Sequence, residues 1–186
     1  MCDYSTELDE LIKRATERIP QKYFCLPVAG ADSRYFERVY CYELYHQMRR
    51  LMCNNEGFSQ FNLTGEAPKG NKKIPDFLIH EPGVENESSN LAIIEVKPVK
   101  YLQNKFIIND LEKLTSFVIE SQYKIGIYLF YGDNDRYFEK IKAKIYSLAS
   151  SNPDIKLEKI AIYHHKNFSE QAVKINPSRL RRVPPK

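Results

Sequence analysis

Cysteine is scarce and poorly spaced for structural chemistry. The four thiols, Cys2, Cys25, Cys41 and Cys53, are scattered and form no C-x-x-C pair. That spacing argues against a zinc site or a disulfide framework and points to a reducing cytoplasmic compartment. Long apolar runs are missing too. Nothing approaches the roughly 20 consecutive apolar residues that a membrane-spanning helix needs, so no membrane partner is expected. The opening stretch Cys2-Asp3-Tyr4-Ser5-Thr6-Glu7 is polar and acidic, which does not suit a secretory signal. No G-x-x-x-x-G-K-[ST] loop occurs, which excludes a nucleotide-driven motor of that type, and no H-E-x-x-H accompanies His46. His164-His165, at the end of an apolar stretch, reads as surface rather than as a metal site.

Acid is absent from residues 171–186, which carry Lys174, Arg179, Arg181, Arg182 and Lys186. The chain as a whole has a formal charge of +4, so this basic tail supplies the entire excess and the remaining body is close to neutral. Such a tail suits either contact with phosphate backbones or a solvated end. With 186 residues, 42% hydrophobic and 28% charged, the chain is long enough for one soluble globular domain with a core of its own. We divide it into an N-terminal helix and loop (1–34), a core (35–166) and the basic tail (167–186).

Periodicity supplies the elements. Leu8, Leu11, Ile12, Ala15 and Ile19 predict a helix capped at Ser5 and stopped by Pro20, followed by a loop to residue 34. A longer helix is expected from about Tyr35 to Cys53, with Glu43 and Gln47 on the shoulder of its apolar stripe. Strands are expected over Phe58–Leu63, Asp76–His80, Leu91–Lys97, Tyr123–Tyr131 and Ile155–His164, with helices over Asn109–Ser121 and after Asp135. The order α-α-βββ-α-β-α-β predicts a mixed five-stranded sheet with helices on both faces. Most of the 13 tyrosines fall on the apolar faces and read as core.

The charged residues of Asp76 to Lys97 stand out against this apolar background. Leu91 to Ile94 leads directly into Glu95-Val96-Lys97, and period-two alternation puts Glu95 and Lys97 on one face. Charges at the end of a buried strand are costly unless paired, bound to a metal or wet. If the second and third strands are antiparallel neighbours, Asp76 lies beside Glu95 and two carboxylates converge next to an amine. That arrangement suits a hard divalent cation and phosphodiester hydrolysis.

Pro75-Asp76 … Glu95-Val96-Lys97 resembles the PD-(D/E)xK motif of the restriction-endonuclease-like nuclease superfamily. The element order over roughly residues 35–165 also resembles that family's core, a three-layer α/β/α fold. The resemblance implies Asp76 and Glu95 as ligands of Mg²⁺ or Mn²⁺, with the Val96 carbonyl as a third. It implies Lys97 as the residue that assists the base or stabilises charge, and Glu43 as the additional helix carboxylate of the metal site. No Q-x-x-x-Y follows Lys97, so the RecB-like exonuclease branch is not indicated. The expected partner is nucleic acid, DNA before RNA, with a homodimer or a partner protein left open. The competing expectation is a non-catalytic nucleic-acid-binding or protein-interaction module of the same fold.

Overall fold

Six consecutive residues, Leu91 to Val96, are completely or almost completely shielded from solvent, and the rest of the chain is layered around them. The structure, a computed structural model, describes residues 4–66, 74–84, 88–100 and 103–175. Its elements are α1 (Ser5–Glu17), α2 (Gln21–Phe24), β1 (Leu26–Val28), β2 (Ala31–Arg34), α3 (Glu37–Cys53), β3 (Asn62–Gly65), β4 (Phe77–His80) and β5 (Asn90–Pro98). These are followed by α4 (Asn104–Ile119), β6 (Ile125–Tyr131), α5 (Asp135–Ser151), β7 (Ile160–His165) and β8 (Val173–Ile175). No helix among the described residues is long and apolar enough to cross a membrane.

The main sheet runs β3-β4-β5-β6-β7-β8 in space. β3, β4 and β5 form an antiparallel meander, β5, β6 and β7 are parallel, and β8 returns antiparallel to β7. The parallel steps are the ones joined by α4 and α5, as a parallel connection requires a crossover. Alternation along the strands sorts the core into two. Ile94, Val96, Ile127, Leu129 and Tyr131 face α1 and α3 on one side. Ile93, Tyr128, Phe130 and Ile162 face α4 and α5 on the other. The protein is therefore an α/β structure with a mixed sheet covered on both faces, and β5 is an internal strand with neighbours on both sides and helices above and below.

Several expectations are corrected. The sheet has six strands rather than five, because Val173–Ile175 pairs with Ile162–His164. The first strand of the meander begins at Asn62. Glu56–Phe58 instead forms a 3-10 turn, whose first free N–H, that of Gly57, is taken by the Asn55 side chain. The N-cap of α1 is Tyr4, without a side-chain cap hydrogen bond. The segment expected as a loop from 20 to 34 contains α2 and the hairpin β1–β2, turned at Gly30 with φ +71°. Arg179, Arg181, Arg182 and Lys186 lie outside the described residues.

His164 and His165 are buried, not on the surface. His164 stacks on Phe138 at 3.8 Å and its Nε2 lies 2.9 Å from the Gly132 carbonyl. His165 Nδ1 lies 2.8 Å from the Tyr40 hydroxyl, beneath Phe24. Five of the 13 tyrosines, Tyr40, Tyr123, Tyr128, Tyr131 and Tyr163, are among the largest fully buried side chains, whereas Tyr42 and Tyr137 are exposed.

Burial pushes the His165 pKa down to about 3, well below the ordinary value of about 6.5. The folded protein thus refuses a proton that the unfolded chain accepts. Stability from this site is complete above about pH 6.5 and is lost as pH falls toward 3, with a slope of at most about 1.4 kcal/mol per pH unit. Urea unfolding at pH 7 and pH 5 reads this as a difference between proteins: from pH 7 to pH 5 the wild type should lose more stability, or gain less, than His165→Phe, and equal changes in the two would clear His165 of the effect.

Candidate metal and acid-base cluster at the end of the central strand

The chain leaves β5 among charged groups that its neighbours cannot avoid. β4 and β5 pair with Phe77 opposite Ile94, so Asp76, one step before Phe77, comes level with Glu95. The Val96 N–H completes the junction by donating to Asp76 Oδ2 at 2.7 Å. Glu95 and Lys97 share the face of Ile93, the side covered by α4, as the period-two pattern predicts. On the other side of β5, Glu95 is level with Tyr128 of β6. Asp76, Glu95 and Lys97 are therefore brought together where antiparallel pairing gives way to parallel.

Glu95 is wholly buried, and neither of its carboxylate oxygens has a hydrogen-bond donor. Lys113 Nζ from α4 approaches Oε1 to 2.8 Å, close enough for an ion pair but off the line of a hydrogen bond. Lys97 Nζ donates to Glu37 Oε1 at 2.9 Å and lies 4.0 Å from Asp76 Oδ2. Asp110, buried on α4, accepts from the Tyr128 hydroxyl at 2.8 Å and sits 3.8 Å from Lys113. Four carboxylates (Glu37, Asp76, Glu95, Asp110) thus surround two ammonium groups (Lys97, Lys113). With every group ionised, two negative charges remain uncompensated.

The proton affinities follow from that imbalance. Burial, and then the negative charge of Asp76, push Glu95 up to about 8, and Lys113 offsets only part of this. Burial likewise raises Asp76 and Glu37, opposed in each by the Lys97 charge. For Lys97 burial favours the neutral amine, but Asp76, Asp110 and Glu37 together outweigh it and hold the ammonium well above the usual lysine range. Lys97 is thus a fixed positive charge, whereas Glu95 is the group that the site finds hardest to ionise.

The helix carboxylate in the cluster is Glu37. Glu43 is not brought to Asp76, Glu95 or Lys97; it accepts a hydrogen bond from Gln47 Nε2 at 2.6 Å along its own helix. Six residues of helix separate Glu43 from Glu37, a turn of about 120° and a rise of about 9 Å. Glu37, Asp110 and Lys113 were missed by sequence reasoning. An acid in the first turn of a helix usually serves the helix dipole, which hides Glu37. The visible signal on α4 was Asp110 and Lys113 at i, i+3 flanking the buried Leu111 and Leu114. The expected helix over Asn109–Ser121 already held this pair, but only the packing of α4, which begins at Asn104, on β5 shows that it faces Glu95.

No group of three or more His, Cys, Asp or Glu side chains among the described residues is arranged to hold a metal ion by itself. Mg²⁺ needs only one or two carboxylates and keeps several waters, so the pair Asp76 and Glu95 meets its demand. The two Glu95 oxygens without hydrogen bonds, in a cluster where acids outnumber ammonium groups, suit a divalent cation once Glu95 gives up its proton. In comparisons with protein-family models, curated proteins and solved structures, none matches this chain.

The raised pKa of Glu95 has a sign that can be checked in the metal-free protein. The folded state holds its proton up to about pH 8, while the unfolded chain releases it near 4.3. The contribution to stability is therefore complete below about pH 4.3 and declines as pH rises toward 8. In chelator, Glu95→Gln should flatten this decline and be more stable than the wild type at pH 8. Thermal unfolding across pH 5 to 8 reads it directly, and parallel profiles for the two proteins would show that Glu95 ionises without cost.

Proposed function

We propose that the chain is a divalent-metal-dependent nuclease of the PD-(D/E)xK type, on a restriction-endonuclease-like fold, hydrolysing phosphodiester bonds in nucleic acid, DNA before RNA. The observation that carries this reading is the buried Glu95 carboxylate without donors, level with Asp76 and two residues before a positively charged Lys97. The order of elements supports it. A helix, a three-stranded antiparallel meander, a crossover helix and a parallel strand place both carboxylates at the end of the central strand.

Asp76 and Glu95 would hold the cation. The Val96 carbonyl would join them, since its N–H already reaches Asp76 and the two groups of one strand residue leave on the same side. A bound Mg²⁺ supplies charge neutralisation at the phosphoryl group and a more acidic water. The remaining work falls to the chain. Lys97, held as an ammonium by its carboxylate neighbours, is suited to stabilising charge that builds on the phosphoryl oxygens rather than to accepting a proton. Glu37 fixes the Lys97 head through its 2.9 Å hydrogen bond, limiting where that positive charge can lie.

A second reading, a non-catalytic nucleic-acid-binding or protein-interaction module of the same fold, is favoured by one observation. Lys113 already sits 2.8 Å from Glu95, so the pocket is partly neutralised by the protein itself. Metal binding and cleavage separate the two.

Under the nuclease reading, Glu95→Ala should abolish Mg²⁺ binding and cleavage together, because alanine cannot replace a charged ligand. Lys97→Ala should bind metal and nucleic acid nearly as the wild type does, while cleavage falls on the order of 10²–10³, the usual loss for one preorganised charge stabiliser. Calorimetric titration with Mg²⁺ and Mn²⁺, paired with cleavage of single- and double-stranded DNA and RNA, checks both. A wild-type protein that binds no divalent ion and cuts none of these substrates is not a nuclease.

A comparison within α3 tests the placement of the helix carboxylate. Glu37→Gln should lower cleavage, because Lys97 loses the partner that positions it. Glu43→Gln should leave cleavage near wild type, its contact being Gln47. The reverse pattern would restore Glu43 to the site and remove Glu37.

A further inference from the structure

Lys113 is not part of the motif, yet among the described residues its ammonium is the one that pairs with the Glu95 carboxylate. Three acceptors surround it. Glu95 Oε1 lies at 2.8 Å, the Ile74 carbonyl at 3.3 Å and Asp110 Oδ1 at 3.8 Å. They come from three places: the central strand, the segment leading into Asp76, and one turn earlier on the lysine's own helix. The other Asp110 oxygen is fixed by the Tyr128 hydroxyl at 2.8 Å, so Asp110 is anchored independently of Lys113.

An ammonium this close to a ligand oxygen competes with any cation that binds there. Its charge repels an incoming metal, and at a few ångström in a buried pocket that repulsion is large. A metal therefore either displaces Lys113 or binds weakly beside it. Displacement requires somewhere for the ammonium to go without losing all its partners: the Ile74 carbonyl already accepts a hydrogen bond from it, and Asp110 Oδ1 lies within 4 Å. A lysine head is a compact charge with three rotatable donors on a flexible stem. It can move between acceptors while its backbone stays in α4.

We propose that Lys113 is a tethered cation that occupies the place beside Glu95 in the metal-free protein and yields it to a divalent ion, moving onto Asp110 while keeping its hydrogen bond to the Ile74 carbonyl. The proposal rests on the metal-dependent reading above. It gives Lys113 a role distinct from that of Lys97. Lys97 is held away from Glu95 by Glu37 and Asp76, and acts on the reacting phosphoryl group. Lys113 acts through Glu95, as a positioning residue that keeps the empty site folded and sets its affinity for metal. The group formed by Asp110 and Tyr128 is then the receiver that makes the exchange inexpensive: a buried carboxylate already bound on one oxygen and open toward Lys113 on the other.

The test is calorimetric titration of Mn²⁺ and Mg²⁺ into the full chain, with thermal unfolding in chelator and in metal. Removing a like charge at this distance should tighten metal binding by about tenfold or more in Lys113→Met. The same variant should unfold earlier than wild type in chelator, and the gap should narrow in Mn²⁺. Lys113→Arg, which keeps the charge, should keep the wild-type affinity. A variant that is destabilised in both conditions, with unchanged or weaker metal binding, overturns the proposal and leaves Lys113 an ordinary structural ion pair. Should Lys113→Met fail to fold, the wild type still decides. The ¹³Cε resonance of Lys113 should shift on Mg²⁺ saturation, and a resonance that does not move overturns the exchange. Wild type that binds metal while Lys113→Met binds no more tightly removes only the tethered cation. Wild type and variant that both bind nothing remove the metal-dependent reading as well.

Discussion

A carboxylate with no hydrogen bond, fully enclosed near the end of the central strand, is the constraint from which the charged half of this structure follows. Ionised and alone, Glu95 would cost several kcal/mol in such a place. The fold answers by crowding charge around it: Lys113 from the helix above, Lys97 two residues on, and a set of further acids that hold those two ammonium groups in position. The answer is incomplete, since the acids outnumber the bases by two. With Glu95 protonated, as burial holds it up to about pH 8, one negative charge stays in excess; with Glu95 ionised, two do.

The backbone accounts for why this happens here. β5 is antiparallel to β4 and parallel to β6. The antiparallel side lets the start of one strand meet the end of the other, which is how Asp76 reaches Glu95. The parallel side requires a crossover helix, and α4 lies across the same face and delivers Asp110 and Lys113. Neither side alone would assemble the cluster. The opposite face of β5 is purely apolar, with Ile94 and Val96 packed under α1 and α3, so the strand is anchored hydrophobically on one face while its other face carries the charge.

The histidines show the same physics without a site. His164 and His165 end β7, where a sequence view expects solvent. β8 and the aromatic group around Phe24 cover that end, so both rings are buried and held neutral. The difference from Glu95 is one of charge: each ring can stay neutral with one nitrogen within 3 Å of a carbonyl or a hydroxyl, whereas the carboxylate has only the Lys113 charge beside it and no hydrogen bond. Burial of a polar group is unremarkable when it is paired and informative when it is not.

Local pattern carried much of the architecture in the sequence. Helical spacing located α1, α3 and α5, unbroken apolar runs located β5 and β6, and alternation put Glu95 and Lys97 on one face, because all of these depend on neighbours within a few residues. The convergence of Asp76 with Glu95 was legible as a consequence of two adjacent antiparallel strands. Tertiary structure decided what depends on distance. It selected Glu37 over Glu43 because helix rotation and rise, relative to the strand end, determine which acid on α3 reaches Lys97. It brought Asp110, Lys113 and Tyr128 to Glu95 because crossover packing, not sequence spacing, aligns α4 with β5 and β6. It turned part of an expected tail into a sixth strand, since a three-residue strand such as Val173–Ile175 has no signal of its own and exists only where β7 offers an open edge. The residue types that could hold a cation were written in the chain; which of them share one pocket was settled by the packing of elements that lie far apart along it.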